Sequence, residues 1–196
     1  MRLKPWMRVS SALLAVAWGG NEFTPLLVMY RTVEGYQQVA VDMLLAAYVL
    51  GIVPALLIGG PLSDRHGRRT LMIPAPVLAM VGSVLLAVGA ESLVLLFVGR
   101  IFSGLALGLG MAVGTSWIKE LSERPHEAHP EKVSGARRAS LSLTAGFALG
   151  AAAAAALAQF APLQTVLPYV INLVICVPSV ILVAGAPETR RATAPQ

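Results

Sequence analysis

Long apolar runs alternate with short charged clusters along this chain, and their lengths suit a bilayer. Residues 43–63 and 70–90 contain no Asp, Glu, Lys or Arg, and each is long enough to cross ~30 Å of hydrocarbon as a helix. The same reading predicts helices over about 9–31, 40–62, 70–90, 92–117, 139–160 and 165–186. Residues 139–187 carry no charge at all, which is too long for one span, and Pro162 with Gln164 divides them. Between the fourth and fifth helices lies a polar segment, 119–138, predicted as a loop. The expected fold is an all-α membrane protein with six transmembrane helices in a single domain, 1–196. Pro54, Pro74 and Pro76 fall inside spans and predict kinks, because each removes a backbone donor.

The first span needs a separate decision. Arg2, Lys4 and Arg8 precede an apolar stretch containing Ala15-x-Ala17, the outline of a cleaved signal. Apolar character resumes past Asn21 and Glu22 through Tyr30, so the segment is long enough to remain as helix 1.

Composition supports this picture. With 56% hydrophobic and 13% charged residues and a mean hydropathy of +0.72, the chain lacks the surface of a soluble domain. The net charge of +5 comes from clusters between apolar runs, so the expected partner is anionic membrane lipid and not nucleic acid. A single cysteine, Cys176, excludes a disulfide framework and a cysteine metal cluster. His126 and His129 do not have the zinc-binding His-Glu-x-x-His spacing, and no metal or cofactor is expected. An intramembrane serine protease would need a histidine in a span, and none is there. The chain is therefore not read as an enzyme.

The distribution of positive charge sets the topology. Of fifteen Lys and Arg residues, thirteen fall at the N-terminus (Arg2, Lys4, Arg8), loop 2-3 (Arg65, Arg68, Arg69), loop 4-5 (Lys119, Arg124, Lys132, Arg137, Arg138) and the C-terminus (Arg190, Arg191). The opposite side has only Arg31. Both termini should be cytoplasmic, in a plasma (inner) membrane.

Loop 2-3 reads Gly60-Pro-Leu-Ser-Asp64-Arg65-His-Gly67-Arg68-Arg69. Gly67 permits a tight turn, and Asp64 lies one turn from Arg68, as an ion pair requires. This order of residues between the second and third spans resembles the signature loop of the major facilitator superfamily of transporters, and its drug and small-solute exporters in particular. The resemblance implies two inverted three-helix repeats and only half of a twelve-helix protein, the other half being a C-terminal half or a second copy. It also implies a gate built on Gly60, Asp64, Arg65, Gly67, Arg68 and Arg69, with Glu120 bridging to Arg68. Pro187-Glu188-Thr189 is similar to the family's usual end of its first half.

Two charged residues lie inside spans, Glu22 on helix 1 and Arg100 on helix 4. At 1.5 Å per residue both sit ~12–14 Å below the outer face, at one level. Intramembrane charges are functional candidates by default, and Asn21 adjoins Glu22. In the resembling family helices 1 and 4 line a central cavity, so the pair is expected to face it, in direct contact or through water, and to couple substrate to protons. Arg100-x-x-x-Gly104-x-x-x-Gly108 resembles the family's helix 4 motif, but Gly104 and Gly108, like Gly146 and Gly150 on helix 5, have the spacing of close helix packing. Helix 5 lacks the internal proline of the antiporter motif, so symport or antiport stays open. No phosphate-cradling loop is present to use ATP. The expected function is secondary active transport of a small solute or drug driven by protons; the alternative is a six-helix membrane protein that mediates interaction or regulation without transport.

Overall fold

The computed structural model describes residues 3–32, 35–130 and 133–190; Arg2, Lys132 and Arg191, counted in the charge pattern, lie outside the described residues. Among the described residues six helices are long and apolar enough to cross a membrane: α1 (Pro5–Thr32), α2 (Gln38–His66), α3 (Arg68–Val88), α4 (Leu93–Leu121), α5 (Ser134–Phe160) and α6 (Leu167–Ala184). The molecule is a multi-pass membrane protein.

Local sequence explains the interruptions. α1 breaks at Glu22 between Pro5–Asn21 and Phe23–Thr32, because Pro25 has no N–H to return to the Asn21 carbonyl. α3 breaks at Ile73, just before Pro74, for the same reason. Pro54 is instead absorbed within an unbroken α2. α4 widens into one π turn at Gly110–Gly114. Loop 4-5 is shorter than the predicted 119–138. Lys119 and Glu120 stay in α4, and α5 already begins at Ser134: long charged side chains reach water from a helix end, so the helix outlasts its apolar run.

Packing follows the two inverted repeats of three helices. α1 packs along α5 and α4 along α2, while α3 and α6 cover the opposite side of α1 and α4. Glycines let both pairs approach closely. A Cβ on Gly104 would collide with the Tyr48 carbonyl of α2, and one on Gly108 would lie 2.6 Å from the Ile52 carbonyl oxygen. On the symmetry-related side, Gly146 and Gly150 press on α1, with 2.5 Å from each added Cβ to the Leu14 and Trp18 carbonyl oxygens. Two buried clusters result, one around Leu13, Val16, Met72, Trp117 and Ile118, the other around Phe23, Tyr30, Leu44, Leu96 and Tyr169. Along α1 and α4 alike, Glu22 and Arg100 fall at the seam between them.

Candidate functional site

At the loop 2-3 end of the bundle, Gly67 adopts φ +94°, ending α2 and opening α3 in one residue. Side chains rarely tolerate that conformation, and an added Cβ would also lie 2.7 Å from a Glu188 carboxylate oxygen. The turn folds Arg68 inward until its side chain is 6% exposed. Its guanidinium pairs with Asp64 at 2.7 Å, donates to Glu120 at 3.0 and 3.2 Å, and donates to Ser63 Oγ at 2.5 Å. Ser63 in turn donates to the Gly60 carbonyl at 2.8 Å.

Glu188, just past α6, closes the arrangement. It accepts the backbone N–H groups of Arg68 (2.9 Å) and Arg69 (2.8 Å), capping donors that the first turn of α3 would leave without partners. The Thr189 hydroxyl donates to Glu120, Arg190 lies 3.5 Å from Glu120 and 3.7 Å from Asp64, and the Trp117 indole donates to the Pro187 carbonyl at 3.2 Å. Four segments meet on Arg68. Arg65 and Arg69 remain exposed at the rim, and Gly60 has open space where a Cβ would stand.

The buried charges present a different geometry. Glu22 and Arg100 are each 1% exposed, enclosed by the bundle itself. Sequence reasoning expected a pair in direct contact or bridged by water and facing a cavity; the structure places no direct ion pair between them. Neither Glu22 carboxylate oxygen has a hydrogen-bond partner among the described residues, nor do Arg100 Nε and Nη1. The Trp18 indole approaches the carboxylate without the geometry of a hydrogen bond. The guanidinium lies over two aromatic rings, with Phe23 at 4.4 Å and Tyr48 at 4.0 Å from centroid to Cζ, an arrangement favoured by the ring quadrupoles. Around it the Tyr30 and Tyr169 hydroxyls lie 3.0 Å apart, and Asn172 donates to Ser83 Oγ at 2.8 Å. Asn21 turns aside to donate to the Phe147 carbonyl at 3.1 Å.

The structure thus brings Asp64, Arg68 and Glu120 together directly, and Glu22 with Arg100 only as neighbours. Sequence reasoning gave no role to Tyr48, Phe23, Tyr169, Asn172 or Ser63, and no partner to Glu188. Tyr48, Tyr169 and Asn172 were visible as polar groups inside apolar runs, but attention to charged residues alone passes them over.

Several known proteins are similar. The profile described as Major Facilitator Superfamily matches residues 5–196. Over 95 residues the chain is 33% identical to "Probable inositol transporter 2" of Arabidopsis thaliana, covering 48% of this chain and 15% of that protein. Over 101 residues it is 32% identical to "Solute carrier family 2, facilitated glucose transporter member 10" of Xenopus laevis, covering 52% and 18%. The fold matches the proton:xylose symporter XylE bound to 6-bromo-6-deoxy-D-glucose with TM-score 0.74 at 18% identity, covering 94% of this chain and 44% of that one. The chain therefore spans less than half the length of that symporter, and its matched stretches are less than a fifth of the curated relatives. With the profile running along nearly its whole length, over a fold of two inverted three-helix repeats, the chain belongs to the Major Facilitator Superfamily.

Proposed function

We propose that this chain is the first six-helix half of a secondary transporter that takes up a small polyhydroxylated solute of the sugar or polyol class together with protons. The observation that carries this reading is the buried pair: Glu22 and Arg100, 1% exposed, with four polar atoms that no described residue bonds. Desolvated charges left in that condition are costly and mark a coupling site. The names of the relatives, an inositol transporter, glucose transporters and a xylose symporter, support sugars over the drugs that the signature loop alone allowed, and uptake over efflux. Positive charge gathered at one end of the bundle supports cytoplasmic termini. In this reading the Asp64–Arg68–Glu120–Glu188 network holds the cytoplasmic side closed.

The test is uptake of labelled D-xylose, D-glucose and myo-inositol into proteoliposomes, using the intact transporter that contains this chain. An inward proton gradient should accelerate uptake of at least one of them, and Glu22→Gln should remove that acceleration while leaving the protein folded. Uptake indifferent to the gradient in the unaltered protein would overturn the reading. Topology is checked separately. Cys176 is buried, so cysteines placed at Gln37 or Gln164 should react with an impermeant reagent from outside, and one at Arg69 should not.

A further inference from the structure

Arg100 is held by two aromatic rings that differ in how they are fixed. Phe23 is fully buried and stacked on Tyr30 with centroids 5.3 Å apart, and Tyr30 is tied by its hydroxyl to Tyr169. Tyr48 is only partly buried. Its backbone is set by contact with Gly104, and its hydroxyl rests against Gly20, where an added Cβ would lie 2.6 Å away. Leu107 and Phe147 also border Gly20, so the ring lies where α1, α2, α4 and α5 converge. α3 and α6 cover the other side. Of the two rings on Arg100, Tyr48 alone can be reached from outside the bundle.

We propose that Tyr48 is the residue through which bound solute controls the exchange between Arg100 and Glu22, an inference that rests on the proton-coupled reading above. A sugar presents a face of C–H groups that packs on an aromatic ring. A solute on the open side of Tyr48 presses the ring onto the guanidinium and keeps Arg100 with its aromatic partners, so Glu22 retains its proton while solute is aboard. Once the solute leaves, the ring is free to move and the guanidinium reaches the carboxyl. The proton then passes from Glu22 to water on the side where the solute was released. Linkage makes the effect reciprocal: protonated Glu22 favours solute binding as much as solute favours the proton. The titratable groups turned toward Arg100 are Tyr48, Tyr169, Glu22 and Tyr30, and Cys176 faces Glu22 from α6. Tyr48 alone of these joins Arg100 to the open side.

The intact transporter in proteoliposomes, with labelled D-xylose outside and a pH-sensitive dye within, reads solute and proton entry together. Tyr48→Leu removes the ring on which the solute packs, so xylose entry should slow, and the protons carried per xylose that still enters should fall about tenfold or more. Tyr48→Phe, which keeps the ring face, should leave the ratio unchanged. If Tyr48→Leu does not fold, Tyr48→Met removes the ring face in the same way and is read alike. An unchanged ratio in the ring-removing variant would overturn the proposal, as would a loss of coupling in Tyr48→Phe. Glu22→Gln separates the two levels of failure. If it still carries protons, the coupling reading falls and takes this inference with it; if it carries none while Tyr48→Leu couples normally, only the role of Tyr48 falls.

Discussion

The two charged regions of this half-bundle treat an arginine in opposite ways. Arg68, at the loop 2-3 end, has bonded partners on α2 and α4, while the acid that caps its backbone comes from beyond α6. Arg100, deeper in the bundle, has two ring faces for company and two nitrogens that no described residue bonds. A network with its partners in place has one preferred arrangement, which suits a clamp that is either closed or broken. A charge held by ring faces beside a carboxylate it does not touch has a second arrangement within reach. On the proposed reading, the difference separates a part that holds a shape from a part that changes state.

The comparison is broken most severely at Arg100. Arg100→Ala takes the cation from the Phe23 and Tyr48 rings and leaves Glu22 without a neighbouring positive charge, a change expected to cost ~2 kcal/mol or more and to lower the thermal midpoint markedly. Adding Glu22→Gln should restore part of that loss. If the double variant is as unstable as the single one, Arg100 serves chiefly as packing between Phe23 and Tyr48, and the contrast with Arg68 loses its electrostatic basis.

The network around Arg68 should lose less. Glu188→Ala removes acceptors from the first two N–H groups of α3, a capping loss of ~0.5–2 kcal/mol, measurable as a lower midpoint in chemical or thermal unfolding. Asp64→Asn should cost still less, ~0–1 kcal/mol, because the Asp64 side chain is 51% exposed and water screens the pair. Its effect on transport should be larger than its effect on stability, with uptake by the intact transporter lost. Unchanged uptake would reduce Asp64 to a topological charge.

How far these regions can be read from sequence differs for a physical reason. Six spans follow from hydropathy and charge spacing because the bilayer imposes length on each segment separately. The Asp64–Arg68 contact is legible because both residues sit on one short turn, and Glu120 because the family resemblance points to it. Glu188 touches Arg68 across 120 positions, a distance no local pattern spans. Depth along a helix comes from counting residues, which puts Glu22 and Arg100 at one level; rotation about the axis does not, so the rings that fill the space between α1, α2 and α4 were not anticipated. Pro25 stood in plain view, yet its consequence, the break at Glu22, depends on which carbonyl it leaves without a donor.

A third ionic cluster gives the smallest and sharpest test. Glu127, in loop 4-5, accepts both its short bonds from Lys4 (3.1 and 3.2 Å) and lies 3.4 Å from Arg138, whose guanidinium covers the Trp6 ring at 4.3 Å. The hydrogen bond from Lys4, with the charges of Lys4 and Arg138, holds its carboxyl below the usual range. A carboxyl lowered on folding stabilises the folded state in full above its unfolded value, near ~4.3, and loses that contribution as pH falls through the folded value. The difference in thermal midpoint between the unaltered chain and Glu127→Gln should therefore be constant from neutral pH to about 5 and shrink towards zero below about 4. It should also shrink with added salt, because Lys4 is 55% exposed and such a pair is screened. Glu22→Gln, far from solvent, should show no comparable salt dependence. If both variants respond to salt alike, the buried charges are reached by the bulk ions that screen the surface, and the two regions do not differ in kind.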